Sequence, residues 1–406
     1  MRLRVAILLF ALGWVGTLGR AAIAEEGTAV EKAVRYADCI LVPIPPETHN
    51  GSGYTALIVG LDGTVYIGTA NYGFSAHLVA YDPKTGQMRD LASMHEVLHE
   101  DGGGINSQSK IHAKLVVDTD GKVYGATKQG NEVFGTRAEY GEDPEGFPGG
   151  HLFVYDPALG KVTDLGKGLP QDGFEGGAID RNRHLIYYNS CPKQHLVVYD
   201  IAKGQFSDKG QTDGSPRYNV VAGDGCLYQP SRGTRIVKYD PVSDEVYDLE
   251  EKMVGPGKPS YTYPFCVGPD PMKLYGCDQY VYEFDVASTA GNKTIEVRQL
   301  CKATPLGYVN DDTHTMITGK DGKVYWTAQA REVKTGASAL HVYRMDPAKG
   351  WREDLGVIRA ANRPDLVVTG VKAIQGSAVG PDGTLYLMVI SDPYSLLIFP
   401  QLTARK

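Results

Sequence analysis

Apolar and polar positions alternate along this chain in short runs, and one phrase recurs: an apolar run, an Asp-Gly or equivalent turn, an apolar residue or two, then Tyr. It reads Asp62-Gly63-Thr64-Val65-Tyr66, Asp120-Gly121-Lys122-Val123-Tyr124, Asp224-Gly225-Cys226-Leu227-Tyr228, Asp321-Gly322-Lys323-Val324-Tyr325 and Asp382-Gly383-Thr384-Leu385-Tyr386. A degenerate copy is Asn182-Arg183-His184-Leu185-Ile186-Tyr187, and a Pro-rich version ends at Tyr275. Asp-Gly between apolar runs is hairpin chemistry, because Gly accepts positive φ. A second phrase follows each copy, a strand ending in Tyr-Asp or a variant: Tyr81-Asp82, Tyr155-Asp156, Tyr199-Asp200, Tyr239-Asp240, Phe284-Asp285, Met345-Asp346 and finally Phe399-Pro400. After the first six comes a turn and a short closing strand, such as Arg89-Asp90-Leu91 or Glu353-Asp354-Leu355.

Each unit therefore predicts four antiparallel strands, with successive hairpin tyrosines 41 to 63 residues apart. That is the period of a propeller blade, far longer than a β-solenoid repeat, and no amphipathic helix of useful length interrupts it. The expectation is an all-β, seven-bladed β-propeller. The seventh unit stops after Leu396-Leu397-Ile398-Phe399 without a fourth strand. The segment Cys39-Ile40-Leu41-Val42-Pro43 has no other partner, so it is expected to complete that blade and close the ring, removing an exposed edge.

The first residues change the picture. Arg2 and Arg4 precede an apolar run from Val5 to Gly19, and Ala22-Ile23-Ala24 places small residues where a signal peptidase reads. This predicts a secretory signal over 1–24 and a single propeller domain over 25–406, secreted or periplasmic. The run is shorter than the ~20 residues a spanning helix needs, so no membrane span is expected after cleavage. Export permits disulfides. Cys266 and Cys277 flank a turn almost symmetrically, which suggests either a cross-strand bridge or two buried free thiols. A net charge of −7 gives no reason to expect a nucleic-acid partner. The chain is expected to be a monomer.

Propellers line the central channel with the first strand of every blade. Counting back from each hairpin Tyr places Tyr54, His112, Glu175, Pro216 or Arg217, Tyr263, Thr313 or His314, and Ile374 or Gln375 where the chain enters those strands. His112, Glu175, Arg217, Tyr263 and His314 on one ring are chemistry where small apolar residues would suffice. Tyr218 and Tyr261 stand beside them. Longer insertions near Asn131 to Gly150 and Arg331 to Ser338, and the loop Ser93 to Ser109, offer recognition elements. His95 and His99, four apart, would suit a metal on a helix, but Gly102-Gly103-Gly104 argues against a stable helix there.

Ser109-Lys110-Ile111-His112, Asp120 to Tyr124 and Gly149-Gly150-His151-Leu152-Phe153-Val154-Tyr155-Asp156 resemble the secreted seven-bladed propellers that include ulvan lyases. Relatives of that group act on rhamnose–glucuronate linkages as lyases or α-L-rhamnosidases. The resemblance implies an acidic polysaccharide or oligosaccharide as partner, with a channel histidine and a tyrosine moving protons and an arginine holding the uronate. It assigns His112, with His151 as a strand residue. A second histidine that such proteins often carry after the hairpin is Thr127-Lys128-Gln129 here. β-Elimination needs a base, a charge stabiliser and an acid. His112, Tyr263 and His314 are the catalytic candidates, and Arg217, Tyr54, Tyr218 and Glu175 the substrate-binding ones.

Two other functions fit the same fold. A metal-dependent hydrolase or lactonase-like propeller would hold a divalent cation such as Ca²⁺ on oxygen ligands, for which Glu175, Asn219 and Asp311 or Asp312 are candidates. A non-catalytic glycan- or protein-binding propeller would need none of this chemistry.

Overall fold

A computed structural model describes residues 34–51, 54–100, 104–130, 147–215, 217–231, 235–258, 264–289, 291–363, 374–389 and 394–405. Residues 1–33 with the segment expected to be a signal, Tyr261, Tyr263, Pro216 and most of the insertion after Asn131 lie outside the described residues. The chain divides into Met1–Val34 and a compact unit Arg35–Lys406.

Arg35–Lys406 is a seven-bladed β-propeller. Blades one, two and three are separate four-stranded sheets, beginning at Leu57–Val59, Val116–Val117 and Gly173–Asp180. Blades four and five join through parallel pairing of their outer strands, Glu245–Met253 and Thr294–Lys302. The N-terminal strand Tyr36–Pro43 runs antiparallel to Ser395–Phe399, with Ile40 opposite Ile398, and so supplies the fourth strand of blade seven. Its first half pairs in parallel with Trp351–Ala360 of blade six. Asn362 fastens the closure, accepting from Leu41 N–H and donating to Leu41 C=O, both at 2.9 Å. Arg359 grips Asp38 with two hydrogen bonds beside it.

The recurring phrases are explained by what their side chains do. In each inner hairpin the Asp carboxylate accepts a backbone N–H two residues on, as Asp62 does from Thr64 and Asp382 from Thr384. The Tyr at the fourth position back-bonds that same Asp in three blades, at 2.7 Å from Tyr228 to Asp224. The Tyr-Asp phrase makes a second such turn, with Asp82 accepting from Lys84 N–H and Asp346 from Ala348 N–H. These side chains lock turns that would otherwise leave backbone donors unpaired. The tyrosine rings meanwhile fill the space between blades, as where Tyr66 of blade one packs on Tyr155 of blade two.

Another repeat ties the outer strands together. His77–Asp90, His151–Asp164, His195–Asp208, Arg235–Asp248 and His341–Asp354 are ion-paired or hydrogen-bonded, each separated by 13 residues. The His or Arg opens the third strand of its blade in the first four pairs, whereas His341 lies inside Ser338–Asp346, and the Asp sits on the fourth strand.

Three expectations are settled here. All six cysteines are free thiols; Cys266 lies opposite Tyr275 rather than opposite Cys277, so the hairpin does not bring the two sulfurs into register. Burial pushes the Cys266 and Cys39 thiols up to about 12. A one-turn helix, Met94–Leu98, does form in the Ser93 to Ser109 loop, with His99 as its left-handed cap rather than a second ligand on one face. The Arg331 to Ser338 insertion lengthens the middle hairpin of blade six. Among the described residues no helix is long and apolar enough to cross a membrane.

Candidate functional site

The channel end where each blade's first strand begins carries the candidate site. Blade three explains its centre. Between Glu175 and Ala178 the strand slips register over Gly176 and Gly177, both at positive φ, and a side chain at Gly177 would run into the Lys114 carbonyl. Two glycines thus allow a bulge that brings this strand against the His112–Lys114 segment, where Lys114 N–H donates to Gly176 C=O. Lys110 and Lys128 come in beside it through isolated bridges, Ala70 to Lys110 and Lys110 to Lys128.

The side chains converge on Glu175. Lys128 Nζ donates to its Oε1 at 2.6 Å, His112 Nδ1 stands 3.8 Å from the same oxygen, and Arg217 Nε lies 4.0 Å from Oε2. The Tyr54 ring covers the imidazole at 4.4 Å between centroids, and the Tyr54 and Tyr72 hydroxyls share a 2.6 Å hydrogen bond. Lys110 Nζ sits 4.6 Å over the Tyr72 ring. Thr55 holds the His112 backbone by a 2.6 Å hydrogen bond to its carbonyl. His112, Lys128 and Glu175 are buried, while Arg217 keeps 31% of its side chain exposed and is the group solvent meets first.

Electrostatics follow from that geometry. Burial pushes the His112 imidazole well below its usual value; Glu175 opposes this, and Lys128, Arg217 and Lys110 add to it. Burial also works against ionising Glu175, but Lys128, His112 and Arg217 outweigh it and hold the carboxyl below the carboxylate range. Lys128 loses charge stability by burial and regains more from Glu175, so it remains an ammonium. The outcome is a neutral imidazole beside a fixed ion pair.

Around this knot several buried polar atoms have no hydrogen-bond partner among the described residues. They include His112 Nδ1, both amide atoms of Gln129, Asn189 Nδ2 and Gln229 Oε1. Folded proteins pair nearly all such groups, so a cluster of exceptions marks a place where donors and acceptors are wanted. Asn189 is the register partner of Glu175, and its Oδ1 accepts from Asn219 at 2.8 Å and Gln229 at 2.6 Å.

Of the residues expected on the ring, Tyr54, His112, Glu175 and Arg217 come together, and Tyr218 is buried next to Arg217. His314 lies on the Tyr308–Thr318 strand where its register slips between Asp312 and Thr315. Thr313 accepts from Asn310, a contact internal to that strand. His151 is a brace, its two nitrogens 3.0 Å from Glu100 and Asp164. Tyr72, Lys110 and Lys128 are site residues that spacing alone did not pick out, although Lys110 and Lys128 flank phrases read as motifs.

The oxygen-ligand set fares differently. Glu175 already neutralises an ammonium and faces a guanidinium, Asn219 is bonded to Asn189 and Gln229, and Asp311 is gripped by Arg331 through three hydrogen bonds. Cationic neighbours oppose a Ca²⁺ ion, which needs six to eight oxygen ligands. Glu175, Asn219 and Asp311 therefore do not fit a metal, and among the described residues no three His, Cys, Asp or Glu side chains group as a metal site.

No protein-family model matches the chain, and no curated protein sequence matches it. Solved structures do. A chain of the mitotic checkpoint complex superposes with a TM-score of 0.55 at 11% identity, over 95% of this chain and 99% of that one. The WD40 repeats of RRP9 give 0.55 at 11% identity, over 91% of this chain and 99% of that one. The extracellular domain of the one-component system BT4673 from B. thetaiotaomicron gives 0.56 at 11% identity, over 89% of this chain and 40% of that one. At such identity these neighbours speak for the fold alone, and what they show is that this chain is a β-propeller.

Proposed function

We propose that this chain is a secreted or periplasmic carbohydrate-active enzyme that cleaves uronic-acid-containing polysaccharide or oligosaccharide by β-elimination at the channel mouth where the blades' first strands begin. This is the loop end, opposite the turn end where the inner hairpins lie. What carries the reading is His112, an imidazole kept neutral by burial and by Lys128, Arg217 and Lys110, with Nδ1 lacking a hydrogen-bond partner among the described residues. A neutral imidazole in a cationic setting is what a base for an acidic substrate requires.

In the proposed step His112 takes the C5 proton of a uronate. The electron pair left behind forms the C4=C5 double bond as the C4–O bond breaks. The leaving oxygen takes a proton from a tyrosine, for which Tyr54, hydrogen-bonded to Tyr72, is the described candidate and Tyr263 the other. Arg217 meets the uronate carboxylate, and Lys128 and Lys110 oppose the enolate-like charge that builds on it.

Burial favours a second reading. His112 and Glu175 expose only 2% and 3% of their surface, as in a structural knot beneath a glycan- or protein-binding face. One experiment separates the two. The mature protein and a His112→Ala variant are incubated with a panel of uronate-containing polysaccharides while the ultraviolet absorbance of the new double bond is followed. A rise with the parent protein alone is the expected result. No rise on any polymer overturns the lyase, and glycan binding retained by His112→Ala then supports the binding propeller.

A further inference from the structure

The other end of the channel carries chemistry that the elimination does not use. Two cavities of about 350 and 530 Å³ lie along the inner strands and share Ile58, Lys114, Arg181, Ile317 and Thr318 as lining. The larger reaches the inner hairpins, where Lys320 joins the lining and Pro381 closes the side. Asn219 lines the smaller one and, through Asn189, joins the amide network beside Glu175. That network therefore stands between the two mouths.

Neither cavity has an Asp or Glu in its lining. Lys114 and Lys320 make no side-chain ion pair or hydrogen bond among the described residues. Arg181 spends only Nε, on the Val117 carbonyl at 2.8 Å. Elsewhere this protein pairs its channel cations, as Lys128 shows. Enclosure by the ring pushes the Lys114 ammonium below its usual value, the mark of a cation lacking a counter-charge. Beside Asn219 and Thr318, the smaller cavity presents an apolar wall of Ile58, Val116, Phe265, Met316 and Ile317.

We infer that the turn-end mouth is a second binding site, for a small phosphorylated molecule with an apolar body. The phosphate sits among Lys114, Arg181 and Lys320, and the body lies up the channel against Phe265 and Met316. Three cations suit an oxoanion, since charge-assisted hydrogen bonds are stronger than neutral ones where water is partly excluded. The absence of carboxylates from the lining selects against cations.

Phenyl phosphate and inorganic phosphate, titrated calorimetrically into the whole chain at low salt, test this. Phenyl phosphate should bind one per chain and more tightly than inorganic phosphate. Lys114→Met should weaken it about tenfold, the loss of one charge-assisted bond. The exposed pair Arg181→Gln with Lys320→Gln should weaken it at least as much while leaving the fold intact. His112→Ala should leave it unchanged, which separates this site from the elimination. No phenyl phosphate binding at millimolar concentration overturns the inference. So does binding that survives both sets of substitutions, or that His112→Ala abolishes. Equal affinity for the two probes removes the apolar body from it.

Discussion

At the loop end of the channel Glu175 is packed against Lys128, His112 and Arg217; at the turn end Lys114, Arg181 and Lys320 face two cavities that no Asp or Glu lines. The inner strands of one ring thus hold charge in two ways. In the first, taking Lys128 out of water is offset by Glu175, and the pair leaves a neutral histidine for chemistry. In the second, Arg181 and Lys320 stay exposed at the mouth, Lys114 is enclosed behind them, and the three line a cavity open to an anion. Paired buried charge specifies an arrangement, whereas unpaired charge at a mouth specifies a ligand.

The sharpest way to break that comparison is to remove the counter-charge. Glu175→Ala strands the Lys128 ammonium in the ring and should cost about 3–5 kcal/mol, measured by urea or thermal denaturation. Lys114→Met at the opposite mouth removes a cation that has no partner to strand. It should leave stability unchanged or raise it by up to about 1 kcal/mol, because an apolar side chain suits that lining better. A cost below about 1 kcal/mol for Glu175→Ala would show that Lys128 is not held by that carboxylate.

Acid should act on the loop end next. His112 has a depressed value in the folded ring, so the unfolded chain binds the proton first once the pH falls below ~6.5. Its contribution is present above that pH and is lost going down. Glu175 is depressed as well, and its contribution is lost as the pH falls below ~4.3 toward its folded value. Each group sets a slope of at most about 1.4 kcal/mol per pH unit. Denaturation midpoints followed from pH 7.5 to 2 should therefore fall in two stages, and His112→Gln should remove the upper one. The same depression keeps His112 unprotonated as a base, so the elimination should hold its rate on the acid side past the ordinary histidine value.

How far the sequence foretold this depends on how local the physics is. The hairpin phrase was legible because Asp62 and Tyr66, or Asp224 and Tyr228, bond each other within five residues. Ring closure was legible because a missing strand and an orphan strand can be counted. Tyr54, His112, Glu175 and Arg217 were found by the same counting, since the distance from hairpin to channel entry is fixed by strand length. Lys128 was read as a gap in a motif, because its bridge to Lys110 lies beyond the regular strands of blade two and its partner Glu175 belongs to blade three, 47 residues on, which no local pattern reports. The free thiols of Cys266 and Cys277 depended on register, which a symmetric turn does not reveal. The outer braces, by contrast, were in plain view: a His or Arg opening the third strand and an Asp 13 residues later.

The smallest effect on stability should come from the residue that matters most to the substrate. Arg217 lies 4.0 Å from Glu175, with 31% of its side chain exposed, and Lys128 already balances that carboxylate at 2.6 Å. Arg217→Gln should therefore change stability by no more than about 0.5 kcal/mol, as surface ion pairs do. Its effect on turnover separates two roles. If Arg217 holds the uronate carboxylate equally in ground and transition states, KM rises and kcat is kept. If it answers charge that grows as the C5 proton leaves, kcat falls with kcat/KM, and Arg217→Lys restores only part of it because a bidentate fork is lost. Full activity in Arg217→Gln would move substrate recognition away from this mouth, and with it the contrast between the two ends.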